Sequence, residues 1–488
     1  SGPRHSYFLL NDATWRSHGV PGPVPGQSEK VERIIGRNTT GLGADWKGLG
    51  ADWFRLQSKL YYTHLGEHLR DPEQEFSFNQ PNARSRLQQY GFQLTPEFFL
   101  PYQELRLHAH GNYEIFNEEK LDRFDKFVEK VPRKFREQYT FRLEDEFIFF
   151  QERLRLLPAV EYQRTTDRFR EENREEDLRV ASGRIQNFAE LEKSRQLRRF
   201  SGQKVRRSEE TIFAPSSTIT EFINKRFTFK GMVYKSNELD FWLHGGAYTG
   251  SRLPLFIELF GEQGSIIGNP DLEAEKAETV EAGLGAAFRL DWLRGSIEAT
   301  AFKRIIDDMI LFVPNSQFTL RPENVDRAII RGAEFGARLE ILSSLKVFTS
   351  YTYQLALNDS EVTYLKGKYL PLRPMHESSS GISYYNEYLE SGIAIVYVGA
   401  VFRDRTNEYP GYQEPRWIYN GYFNWHIIAP RDNQGTARTQ PQEKLTLSLE
   451  VKNIQNLRVE DTVGYPLPGR SAYASLTYKF HTLEKSDD

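Results

Sequence analysis

The sequence predicts an all-β fold, a transmembrane antiparallel β-barrel, and three observations carry the prediction. Polar and apolar residues alternate over stretches of about ten residues, and tight turns alternate with long polar segments between these stretches. Aromatic residues make up 14% of the chain, with 25 Tyr and 34 Phe. Period-two alternation indicates strands, and short turns, long loops and aromatic girdles are typical of outer-membrane barrels.

The clearest strand lies at residues 104–114, where every second residue is polar or charged. One face carries Glu104, Arg106, His108, His110, Asn112 and Glu114. The other face carries Leu105, Leu107, Ala109, Gly111 and Tyr113, and residues 444–452 repeat the pattern with Leu445 and Leu447 on the apolar face. Sandwich strands usually have about 5–6 residues, whereas a membrane strand needs about 9–11. We therefore expect the polar face to line a lumen and the apolar face to contact lipid.

The connections between strands fall into two classes, and together they predict about eighteen strands. Tight junctions are expected at 46–51, 149–152, 290–292, 342–344 and 386–388. Long polar segments are expected at 118–132, 165–207, 250–274 and 359–368, with one extended junction at 429–442. Within the first long segment, apolar residues recur at helical spacing, which predicts a short amphipathic helix over 118–131 with Leu121, Phe124, Phe127, Val128 and Val131 on one face.

Composition excludes several classes of protein. The formal net charge is −3, so the chain as a whole has no attraction to nucleic acid. It contains no cysteine, which excludes disulfides and thiolate metal sites. No run of about 18 apolar residues predicts a transmembrane helix. The mean hydropathy of −0.61 is compatible with a barrel, because its strands alternate.

The candidate catalytic and metal sites are better explained as ordinary polar lining. Glu144 and Glu146 share one strand face and resemble an acid–base pair only in their spacing. His108 and His110, with Glu104 nearby, have the spacing of two zinc ligands, yet the whole face around them is polar. The glycine-rich residues 41–50 lack the Lys-Ser/Thr of a phosphate-binding loop. The sequence therefore predicts neither an enzyme nor a resident cofactor or metal.

Several phrases resemble the signatures of TonB-dependent outer-membrane receptors, in the family's order. The most specific is residues 253–278, LPLFIELFGEQGSIIGNPDLEAEKAE, in which Gly268 to Leu272 reads GNPDL. Residues 324–334 resemble the strand that follows, and residues 465–471 resemble the closing hairpin. The last strand, 471–480, resembles the C-terminal signal strand of outer-membrane proteins, with Tyr478 and Phe480 as the expected signal for the barrel-assembly machinery.

The resemblance implies a 22-stranded barrel of which about eighteen strands are covered, with residues 1–480 as barrel and 481–488 as a tail. The family's plug and TonB box have no counterpart in the sequence, so we expect the chain to be the C-terminal part of a receptor. The implied function is import across the outer membrane, energised through TonB and its inner-membrane complex, with a ferric siderophore as the usual cargo. Outer-membrane lipid is the implied surrounding, and nucleic acid is not a partner.

Residues 165–207 end in a basic stretch that we expect to attract an anionic ferric complex. The ligand-contacting candidates are Arg198, Arg199, Lys204, Arg206 and Arg207, with the loop aromatics Phe256 and Phe260. Two other functions stay open at this point. One is a passive channel or surface-binding protein without a plug, and the other is a soluble β-rich enzyme.

Overall fold

The architecture comes from a computed structural model. It describes residues 5–20, 30–48, 52–73, 75, 82–169, 217–263, 266–314, 320–408, 411–428, 444–462 and 465–479.

Within these described residues, twenty strands form one sheet. Two of them have two residues each, which leaves eighteen long strands, the number that the sequence predicts. The elements are β1 (His5–Gly19), β2 (Glu32–Lys47), β3 (Phe54–Arg70), β4 (Asn82–Leu100), β5 (Gln103–Leu121), β6 (Phe127–Phe149), β7 (Leu154–Phe169), β8 (Ser217–Lys235), β9 (Leu239–Arg252), α1 (Phe256–Phe260), β10 (Glu262–Gln263), β11 (Ile266–Ile267), β12 (Glu275–Arg289), β13 (Leu293–Pro314), β14 (Leu320–Ile341), β15 (Leu345–Asn358), β16 (His376–Tyr385), β17 (Leu389–Val398), β18 (Val401–Phe402), β19 (Tyr412–Gln413), β20 (Arg416–Ile428), β21 (Lys444–Lys452), β22 (Glu460–Thr462), β23 (Tyr465–Pro466) and β24 (Ser471–Lys479).

Long strands that follow each other along the chain pair antiparallel. The chain divides into two compact units, with the division passing through β6, β7 and β8. In the N-terminal unit, β1 to β5 pair in sequence order. In the C-terminal unit, β9 pairs with β12, and the order continues through β13, β14, β15, β16, β17, β20, β21 and β24. No helix in the described part of the chain is long and apolar enough to cross a bilayer.

Aromatic residues mark a constant length on the apolar face of the strands. In the N-terminal unit, Phe54 lies opposite Phe98 and Tyr62 lies opposite Tyr90. The ring centroids of these two pairs are 5.2 and 4.9 Å apart. The aromatics on β3 are eight residues apart, as are those on β4, which is about 27 Å along a strand. Trp417 and Trp425 repeat the eight-residue spacing on β20 of the C-terminal unit. This aromatic ruler matches the girdles of a membrane barrel.

The helix predicted over 118–131 is wrong. Strand β5 pairs with β4 as far as Leu121, and β6 begins at Phe127. The turn between them is closed by the Asp122 carboxylate, which accepts the backbone N–H groups of Phe124 and Lys126 at 2.8 Å. Asp125 has a φ of 60°, which a tight turn requires and a helix does not allow. The helical spacing of the apolar residues is therefore a coincidence of two strand ends and an Asx turn.

Four of the predicted tight junctions lie where the sequence predicts them, whereas the junction 46–51 falls partly outside the described residues. The described part of the chain contains two more turns that the sequence does not predict. Phe150, Gln151 and Glu152 have φ between 53° and 69° in the β6–β7 turn. Leu342 and Ser343 have φ of 49° and 53° in the β14–β15 turn. The additional turns are Pro101–Tyr102, between β4 and β5, and residues 236–238, between β8 and β9.

Candidate functional site

A ladder of alternating charges crosses the polar face of the N-terminal unit, and this charged ladder consists of Asp45, Arg55, Glu97, Glu104, Arg106, Arg142 and Glu144. At one end, Arg55 donates to Asp45 at 2.6 and 2.8 Å and to Glu97 at 3.3 Å. Glu97 is 8% exposed and is the direct strand partner of Arg106. The ladder therefore runs across neighbouring strands rather than along one of them.

Arg106 holds the other half of the charged ladder together. Its Nε donates to Glu104 at 3.0 Å, and its Nη1 donates to Glu144 at 3.1 Å. Glu144 is 8% exposed and also accepts from Arg142 at 2.7 Å. A buried carboxylate is stable only when it is paired. Arg106 is the cation that Glu104 and Glu144 share, and Arg142 adds a second cation at Glu144.

The two histidines of this face hydrogen-bond to neighbouring strands rather than to each other. His108 Nδ1 lies 3.3 Å from the hydroxyl of Thr95. His110 Nε2 lies 3.0 Å from the hydroxyl of Tyr61, and the two rings are stacked. Among the described residues, no group of three His, Cys, Asp or Glu side chains is placed to hold a metal ion. The geometry thus places Glu104, Arg106, His108 and His110 on one polar, cross-linked surface.

The stretch from Leu253 to Ala274 is anchored at its base by one arginine. Arg252, the last residue of β9, makes a two-pronged contact with Glu275 of β12 at 2.7 and 2.9 Å. Its remaining nitrogen donates to both oxygens of Glu258 at 3.0 and 3.1 Å. Glu258 also accepts the backbone N–H of Leu255 at 2.7 Å, which is the reciprocal half of a capping box for α1. Glu275 further accepts the backbone N–H of Ile310 at 2.7 Å.

Two asparagines fix the far side of the same stretch to β14. Asn269, which is 8% exposed, donates to the Pro322 carbonyl at 2.9 Å and accepts from Arg321 at 3.1 Å. Asn324 donates to the Glu273 carbonyl at 3.1 Å and accepts the Glu273 N–H at 2.9 Å. We call Arg252, Glu258, Asn269, Glu275 and Asn324 the loop anchor. It turns a connection of more than twenty residues into a packed element of the C-terminal unit.

Glycine is required at Gly268, beside the loop anchor. A Cβ there would lie 2.7 Å from the Leu259 carbonyl oxygen and 2.6 Å from the Phe260 nitrogen. Gly268 instead donates its backbone N–H to the Gly261 carbonyl at 2.6 Å. The GNP phrase of the sequence therefore serves a close backbone approach as well as a turn.

The remaining predicted site residues divide into described and undescribed ones. Phe256 is 7% exposed, so its ring is packed inside the anchored stretch, and Phe260 is half-buried. Tyr478 is exposed on β24 and lies opposite Leu445. Outside the described residues lie Arg198, Arg199, Lys204, Arg206, Arg207, Phe480 and the tail 481–488.

Sequence reasoning did not find the loop anchor. The phrase Asn269-Pro270-Asp271 predicts only a turn, and the sequence analysis predicts no helix over 256–260. Arg252 and Glu258 are six residues apart, and Glu275 is a further seventeen away, so no local period joins the three. The available local signal is that Glu258 follows Leu255 by three residues, because a capping box has a Glu or Gln three residues after its N-cap residue.

One protein family matches nearly the whole chain. A family model described as "TonB dependent receptor-like, beta-barrel" matches residues 3–454. No curated protein matches the sequence.

Solved structures with the same fold cover nearly the whole chain at low sequence identity. A structure described as the copper transporter OprC has a TM-score of 0.65 and 15% identity, over 98% of this chain and 72% of its own. The siderophore receptor PiuA from Acinetobacter baumannii has a TM-score of 0.63 and 12% identity, over 97% and 71%. BauA, the ferric preacinetobactin receptor from the same organism, has a TM-score of 0.65 and 9% identity, over 98% and 70%.

Proposed function

The chain belongs to the TonB-dependent receptor-like β-barrel family. We therefore propose that it imports a scarce ligand with energy delivered through TonB, and that this ligand is a ferric siderophore. The fold is a transmembrane antiparallel β-barrel, and the protein is located in the outer membrane. The family consists of receptors and transporters rather than enzymes, and it implies TonB and a ligand as partners. The family match over residues 3–454 is the single observation that carries the proposal.

The cargo we propose is a ferric siderophore rather than a free soft metal. Two of the three similar structures above are described as siderophore receptors, and the third as a copper transporter. Copper in its reduced state prefers thiolate and thioether ligands. The chain has no Cys and only three Met. An oxygen-rich, anionic ferric complex makes better use of the side chains that this chain does contain.

We assign ligand capture to the basic stretch of the β7–β8 connection. Residues 193–207 contain seven Lys or Arg and no Asp or Glu, so the segment carries a net charge of +7. A cluster of one sign raises the local concentration of an oppositely charged ligand. In the proposed arrangement, Arg198, Arg199, Lys204, Arg206 and Arg207 meet the complex first. Phe260 offers a half-buried aromatic edge, whereas the buried ring of Phe256 supports the loop.

A growth panel tests the proposal. A deletion strain under iron limitation is supplied with single iron sources, namely catecholate and hydroxamate ferric siderophores, haem, and, separately, cobalamin. We expect growth on at least one ferric siderophore to be lost and to return with the wild-type gene. Replacing Arg198, Arg199, Lys204, Arg206 and Arg207 with Gln should not restore it, because the captured ligand is anionic.

The matched control neutralises five cations of other connections: Arg123, Lys126, Lys366, Lys368 and Arg373. This control should restore growth fully. Unchanged growth of the deletion strain on every ferric siderophore would contradict the proposed cargo. Equal failure of both quintuple variants would contradict the role of the basic stretch.

The apolar face should behave as a lipid contact, as proposed for Leu105 and Leu107. Leu94 is 40% exposed on the same face, midway between Tyr90 and Phe98. We expect Leu94→Arg to lower the free energy of unfolding in phosphatidylcholine vesicles by about 2–4 kcal/mol, since a cation near the bilayer midplane is costly. Tryptophan fluorescence during urea titration measures it. Gln93→Arg, on the polar face, is the control and should change stability by less than about 0.5 kcal/mol; a loss as large as that of Leu94→Arg would show that the faces are assigned the wrong way round.

A passive channel or a surface-binding protein is the alternative function. It would require no energy source and would leave the ligand concentration equal on both sides of the membrane. The energy dependence of uptake therefore separates it from active import.

A further inference from the structure

Two exposed cations lie directly opposite each other on the apolar face of the C-terminal unit. Lys303 of β13 and Arg331 of β14 are strand partners. Their neighbours on the same face are Ala301 and Ile305 on β13 and Ala333 on β14, so the cations border an apolar stripe. Like charges directly opposite each other destabilise a sheet. The pair therefore needs an anion, and neither side chain forms an ion pair with any residue that the structure describes.

The aromatic ruler gives the height of this pair. On β12, Phe288 is the strand partner of Gly295, and eight residues further along β13 lies Lys303. Eight residues is also the spacing from Trp425 to Trp417 and from Phe54 to Tyr62. Lys303 and Arg331 thus take the position of the girdle on the side of the long connections, where other strands have an aromatic ring. Charged headgroups of a bilayer begin at this level.

A groove with apolar walls opens beside the pair. Its volume is about 440 Å³, and its lining includes Ala247, Val280, Ile305, Lys225 and Lys303. Lys225, from β8, adds a third exposed cation, and Glu278 is the one carboxylate in the lining. Because Val280 is the strand partner of Lys303, and Glu278 that of Ile305, the groove lies at the height of the pair and extends toward the long connections. It therefore offers room for a headgroup beside a net positive rim.

We propose that Lys303 and Arg331, with Lys225 across the groove, form a binding site for the phosphorylated headgroup of an outer-leaflet lipid, whose acyl chain runs from the pair toward the tight-turn side, along Ala301 and the exposed Leu284. Phosphate supplies the charge that the opposed cations lack, and Arg and Lys are its usual partners. The orientation, with the long connections facing outward, comes from the outer-membrane fold. The site is independent of the cargo, so it goes beyond the proposed function.

The test is lipid binding to the purified protein in neutral detergent, measured by native mass spectrometry. The probe is bisphosphorylated lipid A, with the same lipid after removal of both phosphates as the comparison. We expect the wild type to bind the phosphorylated form and Lys303→Gln/Arg331→Gln to bind it about 30-fold more weakly, since each cation near a lipid surface contributes about one kcal/mol. The swap Lys303→Arg/Arg331→Lys should keep binding within about threefold, because it preserves the charge.

The matched control is Arg304→Gln/Arg338→Gln, which removes two cations from the opposite face of the same strands. It should bind lipid A as the wild type does. Equal weakening in both double variants, or equal binding of the dephosphorylated lipid by the wild type, would overturn the proposal. So would full displacement of the lipid by millimolar inorganic phosphate, which would indicate a free-anion site. The wild-type comparison of the two lipids decides the matter even if a variant fails to fold.

Discussion

Arg252→Ala should release the anchored stretch without unfolding the sheet. Glu258 is a buried residue, 5% exposed, and the substitution leaves its carboxylate without a cation. Glu275 loses its two-pronged contact with Arg252. Breaking a buried ion pair costs about 3–5 kcal/mol. Because the Arg252 side chain is 40% exposed, we expect about 2–3 kcal/mol. Hydrogen exchange of the amides of Leu259 and Gly261, which close α1, should become about 30- to 150-fold faster.

Two further variants sharpen this result. Arg252→Lys keeps the charge but lacks the planar guanidinium that contacts both carboxylates. Its rate of amide hydrogen exchange in α1 should therefore lie between those of the wild type and Arg252→Ala. Arg327→Ala is the matched control, since its side chain is 48% exposed and lies 3.6 and 4.0 Å from Asp307 and Asp359. Such surface pairs contribute about 0–1 kcal/mol. Exchange in α1 that is the same in Arg252→Ala as in the wild type would contradict the role of the loop anchor.

Arg106→Glu should be the most damaging single change to the charged ladder. It replaces the cation between Glu104 and Glu144 with a third carboxylate, and the buried Glu97 lies directly across the strand pair. We expect a loss of at least about 3 kcal/mol in the free energy of unfolding. The heat-dependent mobility shift of the folded protein on gels, followed through a urea titration, measures this loss.

Charge reversal of the partner provides the critical comparison. Arg106→Glu combined with Glu144→Arg restores one opposite-charge contact and should recover part of the loss, as a double-mutant cycle would detect. Arg37→Glu on the same face is the control, because Arg37 pairs among the described residues with Asp12, and both side chains are half-exposed. We expect less than about 1 kcal/mol for this control. If Arg106→Glu and Arg37→Glu had the same free energy of unfolding, the charged ladder would make no particular contribution to stability.

The strands and their faces could be predicted because the evidence for them is local. In 104–114 the period of two is uninterrupted, and the structure places Glu104 to His110 on one face as predicted. Turns such as 342–344 are likewise encoded by a few adjacent residues. The error at 118–131 has the same origin, because the helical spacing of Leu121 and Phe124 is a local pattern that holds no information about the partner strand. Pairing with β4 decides that region, and β4 lies some forty residues earlier.

The loop anchor and the opposed cations could not be predicted because they depend on register. Lys303 meets Arg331 only after β13 and β14 pair, and Glu275 meets Arg252 only after β12 returns beside β9. A shift of one residue would place each side chain on the other face. The sequence signature GNPDL identified the family, but the structure was needed to give Asn269 and Gly268 their physical roles.

Energised uptake is the measurement that tests the central claim most directly. Cells with and without this protein in the outer membrane are given a ferric siderophore labelled with radioactive iron, before and after a protonophore collapses the proton-motive force. Active import through TonB predicts accumulation above the external concentration that stops with the protonophore, while binding at the cell surface remains. Uptake that only equilibrates with the medium and does not respond to the protonophore would contradict the account and identify a passive channel.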